Sequence, residues 1–171
     1  MTFGRTRGLL TIAVLFAFAL TTTAARGQFE RNRTFETTLI SLEEVPSILA
    51  TGSGRFEARL NGTGSLTYRL TFSGLTSPAL FSHIHLAQRP VNGAVVIFLC
   101  GGGNKPACPP NGGTVTGTIT AADVLGVPAQ NVQAGNLSGM IRAMVGGYTY
   151  VNVHTTNFPA GEIRGYLRPM E

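Results

Sequence analysis

The sequence predicts an all-β fold: an antiparallel Greek-key β-sandwich, or an open barrel, with one or two short helices. Three observations carry this. Short segments rich in β-branched and aromatic residues follow one another along the chain. Several alternate polar and apolar side chains with a period of two. Glycine, asparagine and proline separate them at spacings of about 8–12 residues, the rhythm of small sandwiches and barrels. Periodicity does not choose between those two architectures.

The elements follow in order. Thr34 to Leu42 is rich in threonine and β-branched residues, and Arg55 to Leu60 alternates cleanly. Asn61-Gly62-Thr63-Gly64 then predicts a tight type I′ hairpin turn, because Asn-Gly accepts positive φ. Ser65 to Phe72 resumes the alternation, with Leu66, Tyr68, Leu70 and Phe72 on one face. Ala79 to Ala87 and Ala94 to Cys100 are two further strands joined by a Pro90–Gly93 turn, and Gly113 to Thr120 is another. Thr120 and Asp123 have the spacing of a helix N-cap. A second helix is expected over Leu137 to Val145, capped by Asn136 and stopped by Gly146-Gly147, with Leu137, Met140, Ile141 and Met144 as its buried stripe. Tyr148 to Thr155 and Glu162 to Arg168 close the chain as strands joined by the Asn157–Gly161 turn.

The N-terminus carries an export signature. Arg5 and Arg7 form a basic start, Leu9 to Leu20 is apolar except for Thr11, and Thr23 and Ala25 fit a cleavage site before Arg26. That apolar run of 12 residues is short against the roughly 20 of a membrane span. A buried N-terminal helix would need an amphipathic stripe, which is missing. The expected plan is a signal peptide over 1–25, a flexible leader over 26–35 and one β domain over 36–168, giving a secreted or periplasmic product without a transmembrane anchor. Removing Arg5 and Arg7 leaves 11 basic residues against 8 acidic, a net charge of +3, with a single lysine and no basic run. Nucleic acid is therefore not an expected partner.

Cys100 and Cys108 enclose a glycine-rich loop, and in an oxidising compartment they are expected to form a disulfide that pins a hairpin tip. A pair of metal-binding thiols is the alternative.

The chain has three histidines. His83 and His85 are two apart and so share one face of a strand, with Ile84 facing the core. In Tyr150-Val151-Asn152-Val153-His154 the two valines face in, while Tyr150, Asn152 and His154 face out. If the two strands are neighbours, His83, His85 and His154 could converge on one copper or zinc ion. Alternatively the imidazoles bond backbone and carboxylates and lock strand junctions. Glu162 and Arg164 also share a face, and could pair with each other or, with Asn152, orient a histidine from outside the ligand set. No nucleophile elbow, phosphate-binding glycine loop, zinc-protease helix or glycosidase carboxylate pair stands out, so no catalytic residue is assigned.

Several motifs together resemble the CHRD (chordin) domain: Glu44-Val45-Pro46, Gly74-Leu75, His83-Ile84-His85, Asn92-Gly93-Ala94-Val95-Val96, and Tyr150-Val151-Asn152-Val153-His154-Thr155 followed by Pro159-Ala160-Gly161-Glu162-Ile163-Arg164-Gly165. The resemblance runs from about Glu36 to Arg168. Ser47 and Leu86 depart from it, where proline and glycine are usual. It implies an antiparallel β domain, found repeated in chordin and singly in bacterial exported proteins. The cysteine-rich modules that accompany growth-factor capture in chordin are missing, so that activity is not carried over. The histidine pattern also resembles copper-zinc superoxide dismutase, but three histidines are too few for that family's dimetal site. Two functions are expected from this reading. One is a non-catalytic binding or structural module without cofactor, whose extracellular or envelope protein partner is unknown. The other is a mononuclear copper or zinc protein.

Overall fold

The computed structural model describes residues 33–170 together with Met1. The stretch read as a signal peptide and most of the leader lie outside the described residues. Nine strands follow: β1 (Thr34–Ile40), β2 (Ser53–Leu60), β3 (Leu66–Ser73), β4 (Ala79–Leu86), β5 (Ala94–Cys100), β6 (Gly113–Ile119), β7 (Thr149–Thr155), β8 (Ile163–Tyr166) and β9 (Arg168–Pro169). The α-helix among the described residues is α1 (Leu137–Val145), and single 3-10 turns occupy Ser41–Glu43, Ala121–Asp123 and Pro128–Gln130. The domain begins inside the expected leader, since Thr34 and Phe35 belong to β1 and Phe35 is fully buried.

All strands join one antiparallel sheet in the order β5-β4-β7-β8-β1-β2-β3-β6, with β9 beside β1. Non-sequential neighbours, β3 with β6, β4 with β7 and β8 with β1, give it Greek-key character. The sheet curls into a nearly closed barrel, so the architecture is one sheet rather than two facing ones. Its seam lies between β5 and β6. Tyr68 of β3 crosses that seam on the inside and donates its hydroxyl to Leu99 O of β5 at 2.6 Å. It passes directly over Gly117 of β6, where a Cβ would stand only 2.7 Å from the Tyr68 oxygen. Outside, Lys105 donates to Thr118 O and pairs with Asp123, both at 2.7 Å.

The barrel interior is filled by Phe35, Phe56, Leu70, Phe72, Ile84, Val151, Val153 and Ile163, each at most 1% exposed. Burying one such side chain stabilises by about 1.5–3 kcal/mol. Helix α1 starts where Asn136 Oδ1 accepts from Gly139 N at 3.0 Å, and it presents Leu137, Met140 and Met144 to the same core. Ile141 is half-buried at the edge of that stripe. The Thr120–Asp123 cap also forms, but over a single 3-10 turn.

Two local expectations are corrected. The β2–β3 connection is not a two-residue I′ turn: Leu60 pairs with Leu66, and only Gly64 has positive φ, +80°. Asn61 acts through its side chain, whose Oδ1 accepts from Thr63 N and Ser65 N at 3.1 Å each. The Cys100–Cys108 disulfide is present, but it does not pin a hairpin tip, because β5 and β6 are the two edges of the sheet. It staples the segment that crosses between them. Closing so short a loop removes about 2–3 kcal/mol of unfolded-chain entropy. Such a bond belongs to an oxidising compartment. Among the described residues no helix is long and apolar enough to cross a membrane.

Candidate metal centre

The site is built on the outer face of β4, β7 and β8. Register puts His83 opposite Asn152, His85 opposite Tyr150 and Phe81 opposite His154 across the β4–β7 ladder. On the other side of β7, Asn152 faces Arg164 and Tyr150 faces Tyr166. Period-two alternation sends Ile84, Val151, Val153 and Ile163 inward, so the histidines, Tyr150, Asn152, Arg164 and Tyr166 gather outside. That face is nevertheless covered. Glu44 from one loop and Arg89, Asn92 and Gly93 from another reach over it, and every residue of β7 is buried.

The three expected histidines meet. His83, His85 and His154 are 6–7% exposed, and one ring nitrogen from each lies within 4.8 Å of the others. His85 Nδ1 is 3.0 Å from Gly93 O and His154 Nδ1 is 2.9 Å from Pro159 O. A carbonyl only accepts, so both Nδ1 atoms carry the proton and both Nε2 atoms keep a lone pair. His85 Nε2 and His83 Nε2 are buried without a partner. His83 Nδ1 lies 3.1 Å from His154 Nε2, and in the metal-free protein it donates there. Burial is the first cause that holds the imidazoles neutral: it lowers His83 to about 3 and His85 to about 4, and lowers His154 as well.

Neutral imidazoles with one nitrogen tied to a backbone carbonyl are what a transition-metal site requires. In a tetrahedral site with bonds of about 2.0 Å, ligand atoms sit roughly 3.3 Å apart. The 3.1 Å between His83 and His154 already matches, and the widest separation must close by on the order of 1 Å.

Around the triad stand Arg164, expected from the sequence, and Tyr150, Phe98, Glu44 and Asn92, to which the sequence assigned no role. Tyr150 stacks on His85, with centroids 4.6 Å apart and planes 3° from parallel. Arg164 lies over Tyr150 at 4.1 Å from the ring centroid. Phe98 meets His83 edge-on at 4.5 Å. Glu44 reaches in from the covering loop and accepts from Arg164 Nε at 2.9 Å, and Arg164 Nη2 donates to Asn92 Oδ1 at 2.6 Å. Burial pushes the Glu44 carboxyl up, against the opposing pull of the guanidinium. Glu162 and Arg164 do not pair. Glu162 is turned toward Thr76 and Thr155, whose hydroxyls donate to Oε2 at 2.9 and 2.7 Å. It holds a loop rather than a histidine. The one sequence signal for Glu44 and Asn92 was their place in motifs of the family resemblance, since each comes from a segment remote from β4 and β7.

A model of the CHRD domain family matches residues 35–167, most of the chain and all the elements that build this site. No curated protein and no solved structure matches.

Proposed function

The chain belongs to the CHRD-domain family, and from that premise we propose that it is an exported, non-catalytic β module that holds one transition-metal ion, copper or zinc, between His83, His85 and His154. One observation carries the reading: three buried imidazoles converge, two with Nδ1 bound to backbone carbonyls and Nε2 turned into the cluster. Leaving buried polar atoms unpartnered costs about 1–3 kcal/mol each, and an ion would satisfy several lone pairs at once. The export signature and the disulfide agree with a role outside the cytoplasm.

Calorimetric titration with zinc and copper tests this, beside a His83→Ala/His85→Ala variant. Binding at one equivalent, micromolar or tighter and lost in the variant, is the expected result. No binding, with the variant merely less stable, would make the histidines structural. It would favour a second reading, in which the covering loops recognise an extracellular or envelope protein through Leu42, Leu49 and Val91, which are 58%, 96% and 43% exposed.

A further inference from the structure

Asn152 separates itself from the rest of the polar cluster. Its Oδ1 lies 3.0 Å from His154 Nε2. With the His154 proton committed to Pro159 O and its Nε2 lone pair met by the His83 proton, no proton is left on His154 for the Asn152 oxygen, which faces the ring nitrogen without a donor there. Turning the amide over does not relieve the conflict. Asn152 Nδ2 lies on the side of the Glu44 carboxylate, and neither it nor Glu44 Oε1 has a hydrogen-bond partner in the structure. A turned amide would set its oxygen against that carboxylate instead. Gly161 makes this meeting possible: a Cβ there would stand 2.5 Å from Glu44 Oε1 and 2.7 Å from Asn152 Nδ2. Arg164 holds Glu44 beside the amide nitrogen, and the amide oxygen lies on the histidine side.

Something positive belongs between the Asn152 oxygen and the imidazole lone pairs. Resting on the metal reading above, we propose that Asn152 Oδ1 is a direct fourth donor, making a closed site of three nitrogens and one oxygen that takes a divalent ion, zinc(II) or copper(II), in preference to copper(I). Its 3.0 Å separation from His154 Nε2 is close to the roughly 3.3 Å edge of a tetrahedral site. A hard amide oxygen suits a divalent ion better than copper(I), which prefers sulfur ligands. The site is walled by Phe98 against His83 and by Tyr150 against His85. An ion held there ties β4 to β7 and leaves no position for a reacting ligand.

The test compares the full chain with Asn152→Leu and Asn152→Asp. Zinc affinity is measured against a competing chelator, and the visible spectrum is read with cobalt(II) in the site. We expect Asn152→Leu to lose about 100-fold or more in zinc affinity, above the 10–100-fold typical of outer-shell residues, and to shift the cobalt bands. Asn152→Asp, which keeps the oxygen and adds a charge, should bind zinc at least as tightly as the parent chain. Glu44 is a positioning residue, so Glu44→Gln should move the cobalt bands toward those of Asn152→Leu with stoichiometry still one. Asn152→Leu binding within about threefold of the parent, with an unchanged cobalt spectrum, overturns the fourth-donor proposal and leaves three-histidine binding standing. A parent chain that binds no divalent ion overturns both. If Asn152→Leu fails to fold, the aspartate variant decides, and weaker binding than the parent counts against the proposal. Tighter binding of copper(I) than of zinc(II) also overturns it.

Discussion

Strands β3 and β7 belong to one barrel yet solve different problems. Along β3 burial alternates strictly, with Leu66, Tyr68, Leu70 and Phe72 inside and Thr67, Arg69, Thr71 and Ser73 in water. Along β7 all seven residues are buried, although the pattern of side chains is just as alternating. What differs is the cover. The β2–β3–β6 wall meets solvent, whereas the loops carrying Glu44 and Arg89 to Gly93 reach over β4, β7 and β8. A polar residue on the first wall is hydrated and contributes little. On the second it is desolvated, so each must find a partner or pay about 1–3 kcal/mol. This is why the histidines, Asn152, Arg164 and Glu44 gather into one cluster.

The largest effect that would sharpen this contrast comes from Arg164→Ala. It would strand the Glu44 carboxylate and remove the donor to Asn92, and breaking a buried pair costs about 3–5 kcal/mol. Urea unfolding should show that loss, and a change well under 1 kcal/mol would mean that the outer face of β8 is hydrated after all.

Acid should act next. In the metal-free protein His83 titrates at about 3 and His85 at about 4, below the ordinary value of 6.5. Their folded values are depressed, so the unfolded chain takes up protons between about pH 6.5 and 4 that the folded chain refuses. Stability from these neutral imidazoles is full above about pH 6.5 and falls as pH drops through that window. Glu44, with its carboxyl raised, works in the opposite direction. Unfolding free energies at pH 7 and 4.5 should therefore differ by about a few kcal/mol, lower at pH 4.5, and a flat profile would refute burial of the triad.

The smallest effect is expected on the open wall. Arg55 of β2 pairs with Glu36 and Glu57 in water, and exposed pairs of this kind contribute little. Arg55→Ala should leave the unfolding midpoint where it is. A loss comparable to that of Arg164→Ala would erase the distinction between the two walls.

The local readings that survived are those in which the side chain itself decides. Period-two alternation identified β2, β3 and the inward valines of β7, and Asn136 capped α1 as its position demands. The Asn61 turn went astray because the same residue can shape a turn through backbone φ or through its side-chain oxygen, and the loop length that selects between them is set by strand register. The two edges of the barrel were equally hidden. Cys100 and Cys108 announce a bond, but not that β5 and β6 lie across a seam from one another.

The candidate site divides in the same way. Residue spacing determined that His83 and His85 share a face, that Asn152 and His154 share another, and that both faces turn away from the apolar core, because strand geometry makes alternation unavoidable. Only the tertiary structure decided that β4 lies beside β7, that Glu44 crosses 120 positions to reach Arg164, and that the outer face is covered. Those are outcomes of long-range pairing and loop packing, whose energies depend on segments that no local pattern relates. The sequence determined the donors; burial turned them into a site.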